Sequence, residues 1–287
     1  MFIIKFLTET KVIMKNFNAD LNVALDAVRK VSIKIARDFY EIEKLQISKK
    51  GVADFVTNLD LTVEKFLVSK LQRSRPEYSF ISEESGFIRK KASDQQMNDT
   101  EYRWIIDPID GTFNFMHGIS FFCISIALIK IVKDVSSLML GIICNPISNE
   151  IFWAGKKSGA FLIDTLGIQR KIKVSNSINY EKILCTTCDN RNIDLKAKKY
   201  LDFIKLKRSK TRVFGASALE MAYLADGRIN LIIQGKLNIW DYSAGALIIR
   251  EAGGIIKDFN ENNLALNIKH SIVAGNYELL NRIEKSI

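Results

Sequence analysis

From Trp104 to Ile163 the chain is a succession of strand-length apolar runs separated by short polar stretches: WII, FFCISIALIKIV, SLMLGIIC, EIFWA and GAFLI. Runs this rich in Ile, Phe and Val, punctuated by turn residues, are β-strands. Strands joined by a few residues run antiparallel, because a parallel return needs a crossover of about a dozen residues. The block is therefore predicted to be an antiparallel meander. A different rhythm follows it. ILCTTC, INLIIQG, IIKDF and SIVAGN read as strands, and they alternate with a basic helical stretch, ASALEMAYLADG and SAGALIIREAGG, as in an α/β lobe. Before the meander, Leu21, Leu25, Val28, Ile35, Phe39 and Ile42 keep helical spacing, and a second helix fits Leu61 to Leu71. SFISEE reads as a strand and Arg89 to Glu101 as a loop. The expected organisation is an N-terminal α+β lobe over 1–150 and a C-terminal α/β lobe over 151–287. The two are closely joined, since no Pro/Gly linker divides a chain with only three prolines.

At 287 residues, 47% of them hydrophobic and 26% charged, the chain can bury a sizeable core and has the balance of a soluble globular protein. Its longest apolar run, Phe121 to Ile129, is too short to span a bilayer. The opening MFIIKFLTETK has too short an apolar core, and no small-residue cleavage site, for a secretory signal. Four cysteines are too few for a disulfide scaffold of this length, which points to reduced thiols and a cytoplasmic location. The net charge of +10 is spread along the chain, apart from a basic stretch from Lys196 to Lys210. No nucleic-acid-binding module accompanies it, so it reads as solvated surface, with neither direct nucleic-acid binding nor membrane association implied.

The chemistry lies where apolar runs end. WII passes directly into Asp107, Pro108, Ile109, Asp110, Gly111 and Thr112. Two carboxylates this close repel one another unless a cation lies between them. A hard divalent ion with oxygen ligands suits them, and the Ile109 carbonyl could join. Gly111 lets the backbone approach a ligand closely, and a helix starting at Thr112 would offer N–H groups to an anion. A cation site beside an anion site suggests a phosphate ester. SEES places Glu83 and Glu84 at the end of another apolar run, and WDYSAGALIIREAGG places Asp241 at a helix start. Taken singly, each of these is equally well read as a turn or a helix cap. Taken together, they read as one metal cage assembled by folding.

DPIDGTFNF after WII, the upstream EES and WDYSAGALIIREAGG together make the chain resemble the inositol monophosphatase family of magnesium-dependent, lithium-sensitive phosphatases. Among the bacterial members it is most similar to the extragenic suppressor type, with a match running roughly from Ala19 onward. The resemblance implies a layered αβαβα sandwich of the sugar phosphatase type shared with fructose-1,6-bisphosphatases, usually dimeric. It makes Glu83, Asp107 and the Ile109 carbonyl ligands of one Mg2+, and Asp107, Asp110 and Asp241 ligands of a second, with Glu83 also helping a third, weaker ion. It gives the N–H groups of Gly111 and Thr112 to phosphate, and makes Thr112 and Asp60, in DFVTNLD, the pair that orients the attacking water. Lys49 aligns with a lysine near the phosphate, with Lys50 beside it as the competing placement. The family's GTAA or GSAA segment stands here as GASA, Gly215 to Ala218, which puts Ala216 among the substrate contacts together with Asp241. Gln234 occupies a position that is acidic in many members, so inositol selectivity is open, and Phe113 replaces a common threonine.

The implied activity is hydrolysis of a small phosphate monoester, inositol monophosphate first. Fructose bisphosphate and nucleotide 3′-phosphates are the alternatives. Extragenic suppressor-type relatives also associate with the transcription machinery and influence ribosomal RNA maturation, which implies a possible second role. CTTC, Cys185 to Cys188, lacks the second pair that a four-thiolate zinc site needs, and its cysteines read as strand residues. His117 reads as a surface or packing residue.

Overall fold

The computed structural model describes residues 19–45, 49–88, 100–188, 194–259, 264, 266 and 269–287, with side chains outside 42–54. Two long helices open it, α1 (Ala19–Leu45) and α2 (Lys49–Ser74). Helix α2 begins well before the expected Leu61. Val56, Leu59, Val63, Leu67 and Leu71, all buried, extend one apolar stripe along it at helical spacing. Asp60 therefore lies on a helix.

The first sheet contains β1 (Ser79–Ser82), β2 (Gly86–Ile88), β3 (Thr100–Asp110), β4 (Cys123–Val132), β5 (Val135–Asn145), β6 (Glu150–Gly155), β7 (Gly159–Ile163) and β8 (Gln169–Lys171). The five-residue helix α3 (Thr112–Met116) lies between β3 and β4. The order is β2-β1-β3-β4-β5-β6-β7-β8. The expected meander is present from β3 to β8, every pair antiparallel, whereas β1 joins β3 in parallel. Most of the polar stretch read as a loop, residues 89–99, lies outside the described residues, and Thr100 and Glu101 already belong to β3.

The chain passes to the second sheet between Lys171 and Leu184. That sheet contains β9 (Leu184–Thr187), β10 (Lys210–Arg212), β11 (Leu231–Leu237), β12 (Ile255–Asp258) and β13 (His270–Gly275), in the order β10-β9-β11-β13-β12. The remaining helices are α4 (Leu195–Leu206), which is the basic one, α5 (Ser217–Ala225), α6 (Ile239–Glu251) and α7 (Tyr277–Glu284).

Strand alternation sorts these elements into five layers. Trp104 and Ile106 of β3 face α1 and α2, in a core with Leu25, Ile35, Leu67 and Leu71. Ile105, between them, faces the opposite way, into a middle core with Met221 of α5, Ile248 of α6, and Ile232 and Ile272 of the second sheet. Leu231 and Ile233 flank Ile232 and face a third core with Leu201 and Ile204 of α4 and Leu280 and Ile283 of α7. The fold is thus the expected αβαβα sandwich. The middle layer is tight: a Cβ on Gly141 of β5 would lie 2.6 Å from the Ala244 carbonyl oxygen of α6. Among the described residues, no helix is long and apolar enough to cross a membrane.

Candidate active site

Strand β3 does not turn at Pro108. It continues to Asp110 with a bulge. Asp107 pairs with Ser125 and Asp110 with Cys123, so three steps on β3 are matched by two on β4. Proline fits such an interruption, because a bulge leaves a ladder donor unneeded. The bulge has a chemical consequence. In an unbroken strand, residues three apart face opposite sides, and one extra residue brings them to the same side. Asp110 Oδ2 accepts the Ala218 N–H of α5 at 2.7 Å, which places it on the middle-core side where alternation from Ile105 also puts Asp107.

The chain then turns sharply into α3. Gly111 adopts φ 92°, ψ 34°, in the left-handed region. A Cβ there would stand 2.9 Å from the Ala216 Cβ and 3.1 Å from the Phe121 carbonyl oxygen. Two predicted substrate contacts, Gly111 and Ala216, are therefore neighbours. The Thr112 hydroxyl donates to the Ile109 carbonyl at 2.9 Å, so these two are also together. Asp60 is buried on α2, its Oδ1 has no partner, and it is not bonded to Thr112. Lys49 stands at the start of α2, and its side chain lies outside the described residues.

Asp241 is not the cap of its helix. Asn238 is, and Asp241 sits one turn in, its Oδ2 accepting the Asn238 N–H at 2.6 Å. Helix α6 accordingly begins at Ile239, before the expected Ser243. Glu83 lies in the turn after β1, its N–H donating to the Ile106 carbonyl at 3.2 Å, and its carboxyl interacts with that of Asp107.

These acids influence one another strongly. Burial, then Asp110 and Glu83, hold the Asp107 carboxyl well above the usual carboxylate range. Burial, then Asp241, push Asp110 up to about 8. Burial, with Asp241 and Glu84 adding repulsion, raises Glu83 to about 7, and burial raises Asp241 to about 6. Asp60 is lifted to about 8 by burial and by Glu84, Glu83 and Glu64. Among the described residues, no three Asp, Glu, His or Cys side chains are already gathered as a metal-ligand group, and backbone N–H groups hold an oxygen each of Asp110 and Asp241. The donor set nonetheless fits a hard divalent cation. It is all oxygen, it is acidic, and Asp107 Oδ1 is buried with no partner. A buried carboxylate oxygen without a donor is costly unless something outside the protein pairs with it.

Three residues that sequence reading missed hold this arrangement. Asn114 Nδ2 donates to the Phe121 and Phe214 carbonyls, both at 2.7 Å, tying α3 to the segment leading into GASA. Glu220 of α5 is buried and accepts at 2.8 Å from the amide of Gln234, the predicted substrate contact, which is itself buried. Glu64 of α2 anchors the turn that carries Glu83. An asparagine following DGTF at a helix start offers a weak signal; for Glu64 and Glu220, which act across long sequence separations, there was none. His117 packs on the surface against Phe113, ring centroids 4.2 Å apart, as expected. Cys185 is a buried strand residue, and Cys188 Sγ accepts the Gly235 N–H at 3.0 Å; neither is joined in a disulfide.

Alternating helix and sheet layers, with acidic side chains beside a glycine-opened helix start, define a fold of the sugar phosphatase type. The sequence model of the inositol monophosphatase family matches residues 18–287, and the chain belongs to that family, whose members are phosphate-ester hydrolases and generally metal-dependent. It is 36% identical over 262 residues to the inositol-1-monophosphatase of Caulobacter vibrioides, covering 89% of this chain and 95% of the relative. It is 34% identical over 272 residues to the Nus factor SuhB of Haemophilus influenzae, covering 93% and 96%. The crystal structure of the extragenic suppressor protein suhB of Bartonella henselae superposes with a TM-score of 0.77 at 35% identity, over 94% of this chain and 98% of that one.

Proposed function

We propose that this chain hydrolyses a small phosphate monoester, inositol monophosphate first among candidates, with Mg2+ held by Glu83, Asp107, Asp110, Asp241 and the Ile109 carbonyl. The observation that carries this reading is the β3 bulge. It sets Asp107 and Asp110 on one side of the sheet, immediately before a left-handed glycine that opens a helix. When bound, two or three magnesium ions supply charge that polarises the phosphate and makes an attacking water more acidic. The chain does the rest. The N–H groups of Gly111 and Thr112 donate to phosphate oxygens, as the first N–H groups of a helix have no partner within it. The Thr112 hydroxyl, already donating to Ile109, is left with its lone pairs for a water proton. Asp60, a buried carboxyl beside these acids, is the group assigned to take a proton from that water. Ala216 closes one wall against Gly111.

A panel of phosphate monoesters, including inositol 1-phosphate, fructose 1,6-bisphosphate and a nucleoside 3′-phosphate, assayed with Mg2+ and with or without Li+, tests the proposal. Magnesium-dependent release of phosphate, with inhibition by lithium that is uncompetitive towards substrate, is the expected result. No hydrolysis of any member would refute it. A second reading is favoured by one observation: several relatives carry the name Nus factor SuhB. A purified protein that binds transcription proteins and hydrolyses nothing would decide for that role. In solution the chain is expected to be a homodimer.

A further inference from the structure

Glu64 lies one helical turn beyond Asp60 on α2 and is 1% exposed. Its carboxylate is wrapped by a single short segment. Oε2 accepts from the Ser82 hydroxyl and, at 3.1 Å, from the Glu84 N–H, while Oε1 accepts from the Ser85 hydroxyl. None of these donors belongs to Glu83; they stand on both sides of it. The strands flanking the turn are short, four residues in β1 and three in β2, and β2 is the edge of its sheet. So small a hairpin does not fix its own turn. What locates the Glu83 backbone is its own bond to Ile106 and the grip of Glu64 on its neighbours.

The choice of an acid here carries further meaning. A buried carboxylate beside Glu83, Glu84 and Asp60 adds negative charge where negative charge is already repelled. An acceptor-only group takes all three as donors, whereas an amide would keep the Ser82 and Glu84 bonds only with its NH2 turned to the Ser85 hydroxyl, which would then have to accept. A cation held next to the turn would offset that charge.

We propose that Glu64 is a positioning residue for the metal arm. It holds the 82–85 turn so that Glu83 meets a divalent cation, and it adds negative charge behind that ligand. The inference rests on the phosphatase reading, but its test does not depend on turnover. Partners that orient a ligand usually weaken metal affinity by about ten- to a hundredfold when changed. Calorimetric titration of Mg2+ into the metal-free protein should show Glu64→Gln binding weaker by that factor. Ser85→Ala should show a smaller loss, and Ser85→Thr, which keeps the hydroxyl, an affinity near wild type. At saturating Mg2+ the KM for the phosphate ester should be unchanged in all three. A merely structural residue would lower the metal-free melting temperature and leave Mg2+ affinity alone, and that result overturns the proposal. If Glu64→Gln does not fold, the Ser85→Ala and Ser85→Thr pair decides in the same way. Wild-type binding of Mg2+ with unchanged affinity in the variants refutes the role of Glu64 and leaves the phosphatase reading standing. A wild type that binds no Mg2+ and hydrolyses no ester removes both.

Discussion

Asp110 accepts the Ala218 N–H through one oxygen, and an asparagine oxygen can accept the same bond. Asp110→Asn should therefore keep the fold and its melting temperature while losing magnesium-dependent turnover by at least about a hundredfold, since one ligand charge is gone. Near-wild-type kcat at saturating Mg2+ would show that Asp110 is no ligand. Gln234 calls for a different experiment from the one its sequence position suggests. Its amide is paired with Glu220 out of water, so Gln234→Glu alone sets two buried carboxyls face to face and should cost about 1–3 kcal/mol. The double exchange Glu220→Gln with Gln234→Glu restores an amide–carboxyl pair and should recover most of that stability. It also places the charge at 234, where its effect on the ratio of specificity constants among polyol phosphates can be read; identical ratios would show that the position does not sense substrate. Burial raises the Glu220 carboxyl from 4.5 to about 7, against the hydrogen bond from Gln234. A carboxyl that binds its proton more tightly when folded contributes stability that is complete below pH 4.5 and is lost as pH rises through 7. Glu220→Gln should flatten that decline by on the order of 3 kcal/mol, measured by denaturant unfolding at pH 5 and pH 8. An unchanged slope would place the proton elsewhere.

Among the elements, α6 is the one whose placement matters most to the site, because it brings Asp241 from the second half of the chain to the acids of the first. It lies against β5 with no room for a methyl group at Gly141. Gly141→Ala should push the helix away, costing about 1–3 kcal/mol by overpacking and weakening Mg2+ binding in parallel. A variant that loses stability but keeps its metal affinity would show that Asp241 is positioned independently of this contact. The strands and this helix were legible in the sequence because each is a continuous apolar run or a stripe at helical spacing, a local property. The start of α2 was hidden by the polar residues that dilute its stripe, although Val56, Leu59 and Val63 carry it. The start of α6 was misplaced because Asp241 has the chemistry of a cap, and only the three-dimensional structure shows Asn238 in that position. The bulge that aligns Asp107 with Asp110 was out of reach, since it exists only in the register between β3 and β4. Glu64 was equally hidden, as nothing between it and Ser82 announces their bond. The motifs thus identified the acids, and pairing distant in sequence sets their direction.

For the whole molecule, a metal held by the buried acids would link binding to folding. A ligand that binds only the folded chain stabilises it by about 2.7 kcal/mol at a hundred times its Kd. Magnesium in the millimolar range should therefore raise the melting temperature of the metal-free protein, and calcium or sodium at equal ionic strength should do so less. No response to Mg2+ would argue against an assembled cage. The middle core also bears on how the protein is made. It combines Ile105 and Ile143 of the first sheet with Met221, Ile248, Ile272 and Ala274 from far along the chain. While the ribosome is still translating the second half, one whole face of an eight-stranded sheet has nothing to cover it. The protein must therefore pass through a stage at which it is recognisable to chaperones as unfinished, and Asp241 reaches its partner acids only as that face closes.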